Sequence, residues 1–259
     1  MSKDPVVNLV LMTCHDYLYY ASQDYGAVAR PSEIVGNYAL MYALNRHVPE
    51  VRRIVSEVKP HYCDDLGRMS VYATPAAMIN DFPDYLVGGG KSWVNRQAPL
   101  CGTVAVPWSG GLPLRITWNS IGETLLDKMT QDNINLPKLG AYYRYPPLTM
   151  LYFYAIGGPI PSIIRVGKKF IPARLNAYPL KATRREGVFH PTCPVNVVDL
   201  PENTSIRSGS LLTIPPAPVL VAAELDGPYL ECRDTQGLAH KIPLPKADVY
   251  RAVWDTEAG

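Results

Sequence analysis

Proline limits this chain more than any other residue does: 25 of its 259 residues are proline. Each one removes a backbone donor, so in a sheet it fits only at an edge, a strand end or a bulge. Most of the prolines are therefore expected in loops and at the ends of strands. Hydrophobic residues make up 47% of the chain and charged residues 19%, a globular rather than a disordered composition. At this length the core can be one large domain, or a domain with a smaller appendage.

Between the prolines the pattern alternates between short β-like runs and short helical ones. Residues 6–12 (VVNLVLM) are apolar and rich in branched side chains, and read as a central strand. Pro31 marks a boundary, after which Ser32 can cap a helix over 32–45, with Glu33 in its first turn and Ile34, Tyr38, Met41 and Tyr42 on one face. A second helical run covers 49–58. The stretch 62–113 is loop-rich, with β-like pieces at SVYAT and TVAVPW. LRITW over 114–118 reads as a strand, and Ser120-Ile-Gly-Glu123 is a capping-box pattern that opens a helix to about 131. One or two strands follow within 142–156. Residues 162–166 and 170–175 flank Gly167-Lys168-Lys169 and predict a hairpin. From Leu211 onward come strand fragments cut by prolines. The order suits an α+β fold. A ferredoxin-like domain would occupy 1–210 with a loop-rich insertion at 62–113, and a β-rich carboxyl-terminal extension over 211–259 would pack on it.

Charge is distributed unevenly. The formal net charge is only +2, yet 165–185 carries seven cations (Arg165, Lys168, Lys169, Arg174, Lys181, Arg184, Arg185) and no carboxylate. A confined positive ribbon on a near-neutral chain points to a polyanion held at one place, and nucleic acid is the commonest. Lys168 and Lys169 at a hairpin tip suit backbone phosphates, with Arg165 and Arg174 emerging from the flanking strands. The competing reading is a solvated hairpin whose lysines protect an edge strand. His15 and Tyr17 follow the first strand. They offer acid–base chemistry on RNA, a nucleotide contact, or a polar strand end. The 17 tyrosines suit base stacking or half-buried sheet positions.

Other motifs are weak. Gly88-Gly-Gly-Lys-Ser92 resembles the end of a phosphate-binding loop, but Tyr85 stands where the first glycine belongs. Lys91 and Arg96 read instead as loop cations near a bound strand. The five cysteines are scattered and form no CxxC, so neither a disulfide framework nor structural zinc is expected, and the expected compartment is the cytoplasm. His61-Tyr-Cys63 and His190-Pro-Thr-Cys193 are isolated pairs, and Asp64-Asp65 is an acidic loop. No secretory leader or membrane span is read, and no hydrolase, kinase or dinucleotide signature occurs. No cofactor is expected.

Several segments together resemble a known family. They are His15-Asp-Tyr-Leu-Tyr-Tyr-Ala-Ser22, Gly36-Asn-Tyr-Ala-Leu-Met-Tyr-Ala-Leu44, Trp118-Asn-Ser-Ile-Gly-Glu123, Ile164-Arg-Val-Gly-Lys-Lys169 with Ala173-Arg174, and His190-Pro-Thr-Cys-Pro-Val-Asn196 before Asp199-Leu-Pro. Over 6–216 their order resembles the small RAMP (Cas-five-type) subunit of subtype I-D CRISPR effector complexes. The resemblance implies a ferredoxin-like RAMP fold and no catalytic residue. It implies a grip on the 5′ handle of the guide RNA, for which the residues expected from their own chemistry are Arg165, Lys168, Lys169, Arg174, His15, Tyr17, Lys91 and Arg96. Implied partners are a Cas-seven-type backbone subunit, a Cas-ten-like large subunit and the target DNA near its flanking motif, with no membrane. The alternative is a metal-independent endoribonuclease that cuts repeat RNA with a set such as His15, Tyr17 and Lys168.

Overall fold

The computed structural model describes residues 5–20, 23–24, 28–30, 34–49, 51, 60–78, 114–120, 138–145, 147–167, 170–235 and 237–254. The chain begins with β1 (Val7–Cys14), β2 (Gln23–Asp24), β3 (Val28–Arg30), β4 (Ile34–Val35) and helix α1 (Asn37–Leu44). A one-turn helix α2 (Tyr62–Asp65) leads to β5 (Val71–Ala73), β6 (Ala76–Met78), β7 (Leu114–Ser120), β8 (Lys138–Arg144) and β9 (Met150–Gly157). Then come β10 (Ile163–Val166), β11 (Ile171–Phe189), β12 (Val195–Asn196), β13 (Ser205–Leu212), β14 (Val219–Arg233), β15 (Ala239–Pro243) and a short helix α3 (Arg251–Trp254). A single tight turn, Val197–Asp199, links β12 to the loop before β13.

The protein is mostly β. An 11-stranded sheet runs β12-β14-β11-β1-β9-β6-β4, with β10 added to β11, β13 and β15 to β14, and β5 to β9. Every pairing in it is antiparallel. A second, four-stranded sheet runs β2-β3-β8-β7, with β3 and β8 parallel.

β1 is central because it is apolar on both faces. Leu9, Val10, Leu11 and Met12 are all 1% exposed or less. Leu9 and Leu11 stand opposite Tyr154 and Tyr152, while Val10 and Met12 stand opposite Phe153 and Leu151. Burying each of these large side chains is worth about 1.5–3 kcal/mol. Asn45 fastens α1 to the sheet: its amide donates to Met41 O and Val71 O, both at 2.8 Å, and its Oδ1 accepts from Val71 N at 3.0 Å.

Several expectations need correction. The balance shifts from α+β to mostly β. The helix expected over 32–45 is Asn37–Leu44, capped at Gly36, because Ile34 and Val35 form β4 against Ala77 and Ala76. Branched side chains favour the extended ladder that β6 offers them. Ser120, the expected start of a helix, ends β7 opposite Lys138; the rest of that helix and nearly all of the one over 49–58 lie outside the described residues.

Among the described residues, three prolines lie within strands. Pro172 and Pro179 lie inside β11, and Pro228 inside β14. Two of them sit where a strand changes neighbours. On β11, pairing with β10 ends at Arg174 and pairing with β14 begins at Lys181, so Pro179 has only β1 beside it. On β14, pairing with β13 ends at Asp226 and pairing with β15 begins at Tyr229, and Pro228 between them accepts from Leu244 N at 3.3 Å. At Pro179 the missing donor costs little, because no neighbour waits to receive it.

Candidate nucleic-acid interface

The expected hairpin forms. β10 and β11 pair with Val166 opposite Ile171 and Arg165 opposite Pro172. Gly167 starts the turn at φ +72, and a Cβ there would lie 2.9 Å from Tyr19 O. The turn therefore needs glycine both for its left-handed backbone and for its close approach to the chain leaving β1. Burial pushes the nearby Tyr20 phenol pKa upward.

Three of the expected residues come together at this end of the sheet. The His15 N–H donates to Pro172 O at 2.9 Å, which continues the β1 register by one residue. Arg174 stands opposite Thr13 on β1 and Ile163 on β10. Directly opposed residues share a face, as do residues two apart along a strand. His15, Arg165 and Arg174 thus occupy two adjacent rows of one face, about 7 Å apart along the strand. All three are exposed. Tyr17 lies just beyond, half-buried, with its N–H on the Asp16 carboxylate at 2.6 Å. Lys168, Lys169, Lys91 and Arg96 lie outside the described residues.

The cationic ribbon splits into two halves. Downstream, the Arg184 guanidinium sits 5.0 Å over the Trp254 ring, and Arg185 Nε is 3.9 Å from Glu231, which also accepts from Arg233 at 3.0 Å. Upstream, no carboxylate pairs with Arg165 or Arg174 among the described residues. Arg165 Nη1 instead donates to Phe170 O at 3.1 Å. Beside β10 lies a cavity of about 290 Å³, bordered by Arg46, His47, Pro161, Ile163 and Arg165. Sequence reasoning singled out neither Arg46 nor Phe170. Phe170 directly follows the two hairpin lysines, and an exposed aromatic in the most basic stretch was the available signal.

The other candidate clusters are structural. The motifs around Asn37-Tyr38 and Asn196…Asp199 meet at a buried carboxylate. Asp199, 3% exposed, accepts from Asn37 Nδ2 at 2.6 Å, Tyr38 OH at 3.1 Å, Tyr72 OH at 3.2 Å and Tyr250 OH. Asn196 Nδ2 in turn donates to Asn37 Oδ1 at 2.9 Å. Burial raises the Asp199 pKa, opposed by these hydrogen bonds. A cavity of about 700 Å³ opens over this cluster, with Arg68, Lys246 and Arg251 on its lining. Asp65 is buried and accepts from Tyr42 OH at 2.5 Å, so it is not a solvated loop acid. Cys193 is buried, with its thiol pushed up to about 12, while His190 is exposed. No group of three His, Cys, Asp or Glu among the described residues is placed to hold a metal. No helix among them is long and apolar enough to cross a membrane.

The family model described as "Type I-D CRISPR-associated protein Cas5/Csc1" matches residues 6–87 and 103–252. That span takes in the carboxyl-terminal strands as well as the hairpin. No curated protein matches the chain. Two solved structures are similar at 10% identity. The cryo-EM structure of the Type III-B Cmr-beta bound to cognate target RNA and AMPPnP has a TM-score of 0.44, covering 85% of this chain and 86% of the other. The crystal structure of a CRISPR protein from Archaeoglobus fulgidus has a TM-score of 0.42, covering 92% and 99%.

Proposed function

We propose, because the chain belongs to the type I-D CRISPR-associated Cas5/Csc1 family, that it is a non-catalytic RNA-binding subunit of a type I-D effector complex. It holds the 5′ handle of the guide RNA on the hairpin end of the large sheet. Its other faces dock to a Cas-seven-type backbone subunit and a Cas-ten-like large subunit, in the cytoplasm. The strand order β11-β1-β9-β5, antiparallel throughout, supports a RAMP ferredoxin-like core with α1 as its first helix. β10 occupies the connection where such a core carries its second helix. On this reading 211–259 is a β-rich extension packed on that core.

One observation carries the proposal. Exposed Arg165, Arg174 and His15 share one face, and the arginines have no carboxylate partner among the described residues. A short single strand needs a few exposed cations in register, which these two rows supply. The test is RNA binding against salt. For single-stranded RNA, removing one cation that neutralises a phosphate reduces the log–log slope by about 0.7. The double variant Arg165→Ala, Arg174→Ala is expected to reduce it by about 1.4. An unchanged slope removes the two arginines from the interface. Incubation with repeat RNA in EDTA separates scaffold from nuclease. Intact, bound RNA supports the scaffold, and cleavage that disappears in His15→Ala establishes the nuclease.

A further inference from the structure

We infer that the Phe170 ring is a stacking platform for one unpaired nucleobase of the bound RNA; this rests on the RNA-binding reading above and adds a base-recognising group to it. Phe170 holds a backbone conformation that suits its residue type poorly. Its φ is +51, in the left-handed region that a bulky aromatic rarely occupies. Glycine or asparagine meets that demand without strain, and the chain places phenylalanine there. Strain of this kind persists where the surroundings impose it, and it clusters at ligand sites.

Those surroundings are two hydrogen bonds. The Phe170 N–H donates to Gly167 O at 3.1 Å, and its carbonyl accepts from Arg165 Nη1 at 3.1 Å. The backbone is held at both ends while the side chain stays 63% exposed. The ring is thus presented outward by the same arginine that faces the proposed phosphates. Isolated surface apolar groups are ordinary, but one that is strained, clamped and set beside a basic face is not.

The chemistry of the neighbours selects the ligand. Arg165, Arg174 and His15 are exposed nearby, Ile163 is exposed on that face and Leu148 lies at the end of β1, its N–H on Cys14 O at 2.7 Å. A protein partner docking on Phe170 would need a continuous apolar patch, which this charged surface breaks up. A nucleotide offers a flat π-face joined to a phosphate, and Phe170 and Arg165 supply a complement to each. Stacking accepts any base, since each base has such a face.

The experiment uses the full chain and a repeat-derived RNA carrying a fluorescent adenine analogue at one handle position at a time. Phe170→Ala is expected to weaken binding roughly 5- to 150-fold, the range for removing one base–aromatic stack. The salt slope should stay at its wild-type value, because every phosphate keeps its cation. Fluorescence quenched at one position in wild type should recover in Phe170→Ala, while Phe170→Trp keeps both affinity and quenching. Phe170→Gly should melt at a higher temperature than wild type and still bind RNA weakly, which no merely structural role for the ring produces. Wild-type affinity in Phe170→Ala overturns the inference and leaves the RNA-binding reading intact. Full affinity in Phe170→Leu replaces stacking with a simple apolar touch and overturns it too. If the wild-type chain binds no repeat RNA at all, both readings fall together.

Discussion

At the scale of single residues, Asp199 governs more of the molecule than any exposed cation does. Four donors from α1, β5 and the segment before α3 converge on its carboxylate. Removing the shared acceptor leaves buried neutral donors unsatisfied, at about 1–3 kcal/mol for a stranded donor. Asp199→Ala should lose at least that much stability in urea titrations, with no direct effect on the hairpin face. Because burial raises the folded pKa above the ordinary 3.8, the proton is held more tightly in the folded chain. The stability this gives is full below 3.8 and is lost as pH rises through the folded value. The difference in unfolding free energy between wild type and Asp199→Asn should therefore fall as pH rises across that window. A flat difference would mean that Asp199 titrates normally. The sequence shows Asn37, Tyr38, Asn196 and Asp199 only as family-like phrases. That they meet depends on hydrogen bonds spanning about 160 residues, which no local pattern reports.

Among elements, the hairpin is the most legible. Two β-like runs around Gly167 predict it, and β10 and β11 form it. Gly167→Ala should lower stability by about 1–2 kcal/mol from left-handed strain alone, before any clash with Tyr19 O at 2.9 Å. Thermal melts of the two proteins would check this, and equal melting temperatures would contradict it. β1 is equally clear, since its apolar run has no other stable location than between two covered faces. The start of α1 is hidden because a serine followed by an acid imitates a cap, while the ladder offered by β6 claims Ile34 and Val35. The prolines within strands are hidden for a related reason. Whether a strand can carry one depends on which neighbours it has at that residue, as Pro179 shows, and neighbours are a property of the sheet.

For the whole molecule, the shift from α+β to mostly β comes from the carboxyl-terminal half of the described residues, where the hairpin run extends into the 19-residue β11 and proline-cut fragments join into the 15-residue β14. β11 pairs with β1 through its first half and with β14 through its second, so one strand belongs to both regions. Unfolding followed by tyrosine absorbance and by far-ultraviolet dichroism should give one coincident transition. Two separated transitions would show that the extension melts independently. The donors to Asp199 stretch from Asn37 to Tyr250, which also sets a timetable for biosynthesis. Synthesis must run 51 residues past Asp199 before Tyr250, the last of its donors, exists to reach that carboxylate. The nascent chain therefore carries that acid short of its full set of donors until the carboxyl-terminal strands have followed it.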